Sequence, residues 1–222
     1  MPAATQVPCE SFGPRRNAAR PDIIVLHYTA MESAKAALER LCDPDVEVSA
    51  HYLIAEDGRL WQMVSEDMRA WHAGAGAWGD VADVNSRSIG IELANHGDHP
   101  FPEPQMRVLE TLMQDIMARW AIPPARVIGH SDMAPGRKRD PGPRFDWPRL
   151  ARGGLALPTP DGAPAAPCPE RFRAAVCGFG FPDVEDSVLL GAVRLRFRPW
   201  GEGPLAPEDM AIAQGLALAR LT

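Results

Sequence analysis

The chain has 222 residues, 45% of them apolar and 23% charged, and a net charge of −6. That length holds one sizeable domain plus a small one, and the composition is ordinary for a globular protein. The acidic balance argues against nucleic acid as a partner, which calls for a basic surplus or stripe.

No apolar run approaches the roughly 20 residues that span a bilayer. Met1-Pro2-Ala3-Ala4-Thr5-Gln6 lacks the charged region and apolar core of a secretory signal. The expectation is a cytoplasmic protein, with the periplasm or cell envelope as the alternative if an export segment has been removed. Cys9, Cys42, Cys168 and Cys177 form no CxxC pair, which argues against a cysteine-based zinc knuckle. All four read as free, mostly buried thiols. A Cys168–Cys177 bridge is the alternative in an oxidising compartment.

Residues 1–20 read as a polar, irregular leader. The continuous run Ile23-Ile24-Val25-Leu26-His27-Tyr28 predicts a buried central strand. His27 lies near its end, where a fixed backbone can aim a side chain into a cleft; taken alone, it reads first as a core histidine. Ser33 to Leu41 carries Ala34, Ala37, Leu38 and Leu41 at helical spacing, with Ser33 as cap. Residues 49–64 predict a hairpin around Asp57-Gly58. His51 falls in its first strand. Trp71-His72 follows in a loop, as an exposed pair suited to a sugar or amide ligand, or equally as a structural plug.

Ser88 to Asn95 predicts another strand. Ile89, Ile91 and Leu93 alternate onto one face, so Gly90, Glu92 and Ala94 take the other. A carboxylate inside an apolar strand is costly to bury without a partner; Glu92 therefore reads as functional, or as half of a salt bridge. His96 and His99 read as solvated. Glu103 to Trp120 is the longest predicted helix, with one apolar face of Met106, Leu109, Leu112, Met113, Ile116, Met117 and Trp120.

Next comes Gly129-His130-Ser131-Asp132-Met133-Ala134-Pro135-Gly136-Arg137-Lys138-Arg139-Asp140-Pro141-Gly142, too rich in Gly and Pro for a helix or a long strand. It reads as a site-bearing loop, with His130 and Asp140 as metal-ligand candidates and Lys138 as a cation beside them. Beyond Leu150 the composition shifts. Leu157 to Pro169 holds five prolines and reads as a linker. Three short helices follow, the last carrying Met210, Ile212, Leu216, Leu218 and Leu221. So small a bundle is marginal alone and should lean on the main domain.

Two imidazoles and a carboxylate can bind zinc with one position left open. A separate carboxylate can serve as general base, and a lysine can stabilise an oxyanion. His27, His130, Asp140, Glu92 and Lys138 would suit amide hydrolysis. There is no HExxH and no GxSxG.

Five stretches occur in order: Leu26-His27-Tyr28-Thr29-Ala30, Ser49-Ala50-His51-Tyr52-Leu53-Ile54, Ala70-Trp71-His72-Ala73-Gly74, Ser88 to Asn95, and Gly129-His130-Ser131-Asp132 through Asp140-Pro141-Gly142. Together they resemble the zinc-dependent N-acetylmuramoyl-L-alanine amidases of the AmpD/AmiD type, relatives of peptidoglycan recognition proteins and phage amidases. The resemblance covers about residues 22–150. The tail more weakly resembles a small helical peptidoglycan-binding domain through Phe179-Gly180-Phe181 and Arg194 to Pro199.

The resemblance implies an α/β fold, a mixed central sheet flanked by helices, followed by a small three-helix domain. The expected division is a catalytic domain at 1–156, a linker at 157–169 and helices at 170–222. It implies Zn2+ on His27, His130 and Asp140, Glu92 as catalytic acid/base and Lys138 as oxyanion stabiliser. His72 and Asn95 would line the substrate groove, and His51 would lie there or in the core. The expected substrate is peptidoglycan or a muropeptide, cut between N-acetylmuramic acid and L-alanine by a monomer. The alternatives are a non-catalytic wall-binding module and a zinc amidase acting on another N-acyl amino acid.

Overall fold

The computed structural model describes residues 4–219; Met1, Pro2, Ala3 and Leu221 lie outside them. Two short strands open the described chain, β1 (Thr5–Gln6) and β2 (Phe12–Pro14). The apolar run forms β3 (Ile23–Tyr28), buried up to Tyr28. Helix α1 (Ala34–Leu41) starts where the Ser33 hydroxyl accepts the Ala36 N–H at 3.1 Å. β4 (Tyr52–Ile54) and β5 (Leu60–Gln62) form the antiparallel hairpin around Asp57-Gly58. β6 (Met68–Ala70) and the single turn α2 (Val84–Arg87) lead into β7 (Ser88–Leu93). α3 (Glu103–Trp120) is followed by β8 (Val127–Gly129), which runs straight into the four-residue helix α4 (His130–Met133) and on to α5 (Trp147–Arg152). The tail supplies α6 (Pro169–Phe179), α7 (Asp186–Phe197) and α8 (Pro207–Ala219).

The main sheet has six strands in the order β1-β5-β4-β7-β3-β8. β3 runs parallel to β7 and β8, and β4 parallel to β7, while β4 and β5 are antiparallel. The sheet is therefore mixed. Because β3, β7 and β8 are parallel, their carboxyl ends lie together, the usual place for a ligand crevice in such sheets.

Alternation divides the core. Ile24, Leu26, Ile89, Ile91 and Leu93 pack against the α3 stripe of Met106, Leu109, Leu112, Met113 and Ile116. Each of these buried side chains contributes about 2 kcal/mol. The opposite face puts Ile23, Val25, Ile128 and Met133 against Phe172, Val176, Leu189 and Val193 of the tail. The tail helices thus share a core with the sheet.

Three expectations are corrected. The leader is not irregular: β1 pairs parallel with β5, and β2 antiparallel with β6. Strands of two or three residues are too short to show an alternation in the sequence. The site loop contains a helical turn at α4, closed by the Asp132 carboxylate accepting the Gly129 N–H at 2.8 Å.

The third correction concerns the thiols. Cys9 and Cys42 are joined in a disulfide, while Cys168 and Cys177 are free. The fold brings Cys9, after β1, to the carboxyl cap of α1, and no sequence spacing announces that meeting. Closing a loop with a separation of 33 residues stabilises the fold by about 3–4 kcal/mol. Replacing Cys9 and Cys42 by serine should lower the melting temperature by several degrees, measurable by calorimetry; an unchanged melting temperature would contradict this contribution.

Candidate metal centre and active-site cleft

Register places the site. His27 and Glu92 are lateral partners on β3 and β7, and Leu26 pairs with Gly129, the residue before His130. His27, Gly90 and Glu92 share the face opposite the Leu26 core. The Pro-rich loop then returns Asp140, whose carbonyl accepts the Ser131 N–H at 2.9 Å. Gly129 is needed there, since a Cβ at that position would stand 2.8 Å from Pro141 Cδ.

His27 Nδ1 and His130 Nδ1 approach to 2.9 Å, and Asp140 Oδ2 lies 2.9 and 3.0 Å from them. The surrounding bonds fix the tautomers. The Ser88 hydroxyl donates to the Val84 carbonyl at 2.6 Å, so Ser88 Oγ accepts from His72 Nε2 at 3.2 Å. His72 Nδ1 is then an acceptor, and His27 Nε2–H donates to it at 3.0 Å. His130 Nε2–H donates to the Ala73 carbonyl at 2.8 Å. Both Nδ1 atoms are therefore bare lone pairs, aimed at each other and at a carboxylate.

Such a cluster of acceptors, buried to 1%, 3% and 7% exposure, is repulsive unless a cation lies among them. Burial, then the neighbouring His130, holds His27 down to about 4, so His27 does not supply that cation near neutral pH. The Asp140 carboxylate, an acceptor as well, faces both lone pairs at 2.9 and 3.0 Å. The donor set of two nitrogens and one oxygen suits a borderline divalent metal. Among the described residues it is the one group of three or more His, Cys, Asp or Glu side chains with ligand atoms within 4.8 Å of one another.

Glu92 stands beside this cluster rather than in it. Its Oε2 is buried without a hydrogen-bond partner among the described residues. Burial, then the charge of Asp140, pushes its carboxyl up to about 8. The salt-bridge reading of Glu92 has no support in these contacts. Lys138 is exposed on the cleft wall, with its N–H bonded to the Ala134 carbonyl at 3.0 Å.

The cleft measures about 500 Å³ and exposes Glu92, His72, Trp71 and the three cluster residues, with Arg40, Arg137, Lys138 and Arg139 at its mouth. Neither His51 nor Asn95 is on its lining. His51 is wholly buried: its Nδ1 accepts the Gly90 N–H at 3.0 Å and its Nε2–H donates to the Met68 carbonyl at 3.1 Å. Asn95 is buried and turns back on its own loop, accepting the Gly97 N–H at 2.6 Å.

His72 is buried rather than exposed, lying on Gly90, where a Cβ would stand 2.4 Å from the ring. Asn85 Oδ1 accepts the N–H of both His72 and Ala73, at 3.1 and 2.9 Å. One dipeptide therefore orients both histidines, through the His72 ring and the Ala73 carbonyl. Sequence reasoning missed Asn85 and Ser88, because a small polar residue on a single turn or at the first position of a strand carries no periodic signal. It also left Arg137 unassigned, whose Nη2 donates to the Ala73 carbonyl at 2.7 Å.

Two imidazoles and a carboxylate at the ends of parallel strands, with a free carboxylate alongside, define a metal-dependent hydrolase. Comparison narrows the class. The family profile described as N-acetylmuramoyl-L-alanine amidase matches residues 17–143. The amidase AmiD of Escherichia coli K12 is 35% identical over 230 aligned residues, covering 87% of this chain and 81% of the relative. The 1,6-anhydro-N-acetylmuramyl-L-alanine amidase AmpD of Salmonella typhimurium LT2 is 32% identical, over 66% of this chain and 88% of its own.

Among solved structures, E. coli AmiD in complex with the substrate anhydro-N-acetylmuramic acid-L-Ala-D-γ-Glu-L-Lys superposes with a TM-score of 0.81 at 33% identity, covering 91% of each chain. AmpDh3 of Pseudomonas aeruginosa in complex with an anhydromuramic pentapeptide gives 0.82 at 30% identity, covering 92% of this chain and 94% of that one. The chain belongs to the N-acetylmuramoyl-L-alanine amidase family, a family of metal-dependent amidases.

Proposed function

We propose that the protein hydrolyses the amide between N-acetylmuramic acid and L-alanine in muropeptides, anhydro-muropeptides included, with Zn2+ held by His27, His130 and Asp140. The observation that carries this reading is the convergence of two bare Nδ1 lone pairs and Asp140 Oδ2. Held by these three residues, zinc would supply Lewis-acid polarisation and lower the pKa of a water to roughly 7.

The remaining steps belong to side chains. Glu92 takes the proton from water as oxygen adds to the lactyl carbonyl carbon, then returns it to the alanine nitrogen as the C–N bond breaks. Lys138 balances the charge that develops on the carbonyl oxygen. Arg40, Arg137 and Arg139 make a basic mouth on a chain of net charge −6, suited to the carboxylates of a stem peptide.

We read residues 1–156 as the catalytic unit and 170–222, after the 157–169 connection, as helices fused to it. The ligand cluster is complete within one chain, so a monomer suffices for the reaction. Among the described residues no helix is long and apolar enough to cross a membrane. The Cys9–Cys42 bridge favours an oxidising envelope compartment over the cytoplasm; thiol trapping in intact cells should find this pair oxidised, and a reduced pair would favour the cytoplasm.

We assign His72 and Asn85 to positioning rather than substrate contact. His72→Ala or Asn85→Ala should weaken zinc binding 10–100-fold, measured by chelator competition. A rise in KM with zinc affinity unchanged would instead return His72 to the substrate. The function itself is tested by mass spectrometry of anhydro-muropeptide digests: free peptide beginning at L-alanine is expected, and intact muropeptide would overturn it.

A further inference from the structure

His130 aims correctly only if the turn that carries it is held, and α4 has four residues. A helix that short does not hold itself. Its closure depends on Asp132 Oδ2, which accepts the Gly129 N–H. The same oxygen has a second partner, 64 residues further along the chain: Arg196 Nη1, in the last turn of α7. Arg196 Nη2 donates to the Val127 carbonyl at 2.9 Å. One guanidinium therefore grips both the first residue of β8 and the turn that follows it. Asp132 is 0% exposed and Arg196 4%, and the guanidinium lies 4.1 Å over the Trp147 ring. The same helix touches the loop again, where a Cβ on Gly136 would stand 3.0 Å from Val188.

We propose that Arg196, and through it the helical tail, is a positioning element of the metal centre, holding the Gly129–Met133 turn by way of Asp132 and Val127 and so aiming His130. The inference rests on the zinc reading above. A guanidinium fits this place because its planar fork binds two acceptors in fixed directions. The tail is then part of the machinery that shapes the site, besides any contact it makes with the wall.

The tail offers its own control. Arg194 Nη2 donates to Asp209 Oδ2 at 2.6 Å and Arg194 Nη1 to the Gly203 carbonyl at 2.7 Å. This pair is as buried as the first, at 7% and 0% exposure, and joins α7 to α8 and the chain before it, with the Arg194 guanidinium bonded to Asp209, Gly203 and Pro204 and not to the Gly129–Met133 turn. The experiment compares R196M/D132N with R194M/D209N in the full chain. It reads zinc affinity by chelator competition, the visible spectrum of the Co2+ form, and thermal stability.

Both double variants should melt lower than the parent. R196M/D132N should bind zinc at least about tenfold more weakly with an altered Co2+ spectrum, whereas R194M/D209N should bind within twofold of the parent. Equal weakening in the two variants, or parental affinity in R196M/D132N, overturns the proposal. If R196M/D132N does not fold, R196K decides: it keeps the charge and loses the fork, and parental zinc affinity in it overturns the proposal. A parent protein that binds no zinc would instead remove the metal reading itself.

Discussion

Glu92→Gln should abolish most hydrolysis while leaving the metal in place. General acid–base transfer by a positioned carboxylate contributes about 10²–10⁴-fold, and the amide cannot accept and return the proton. Glu92 is no part of the ligand cluster, so zinc content should hold at the parental value. The same substitution has an opposite effect on the metal-free fold. Glu92 is raised to about 8 by burial and then by Asp140, against an ordinary value near 4.3.

Between those two values the folded, metal-free protein keeps a proton that the unfolded chain has released. Stability therefore falls as pH rises across that window and levels off above about 8. The neutral amide introduced by Glu92→Gln carries no such penalty. The metal-free Glu92→Gln protein should therefore melt above the parent at pH 8. Its advantage should fade as pH is lowered towards 4. A variant that melts below the parent at pH 8 would show that Glu92 has a stabilising partner, contrary to its unbonded Oε2.

The second large effect separates Asp140 from Lys138, two residues apart in one loop. Asp140→Ala removes one of three ligand atoms and the charge that faces His27 and His130. It should leave the purified protein with little zinc. Lys138→Ala touches no ligand, so zinc should remain near stoichiometric while kcat falls by about 10²–10³-fold, the usual cost of one oxyanion partner. Metal analysis beside steady-state kinetics reads both. If both variants lose zinc equally, Lys138 supports the loop and not the reaction.

The division between what could be read in advance and what could not follows the length of the signal. A six-residue run that opens Ile23-Ile24-Val25-Leu26, an alternating Ile89-Ile91-Leu93 and an eighteen-residue amphipathic stripe each announce an element, and each stands where its pattern places it. The ligand candidates were legible as types on strands and a loop. Their assembly became legible only when five stretches were read together, because spacing cannot bring His27 to Asp140. What stayed hidden depends on contact across the fold. The Cys9–Cys42 pair, Arg15 buried against the Glu66 and Ser88 carbonyls, and Asn85 under His72 and Ala73 are each fixed by a neighbour remote in sequence. His72 reads as exposed in a loop of small residues, yet it is the missing side chain of Gly90 that gives its ring a buried place.

The most direct test strips the protein with chelator, returns Zn2+ in steps, and follows release of the stem peptide from an anhydro-muropeptide at each step. Hydrolysis should be absent without metal, rise in proportion to zinc and saturate at one ion per chain. In His130→Ala it should stay absent at the same zinc levels. Full hydrolysis by the stripped protein, or parental hydrolysis by His130→Ala, would contradict a reaction built on His27, His130 and Asp140.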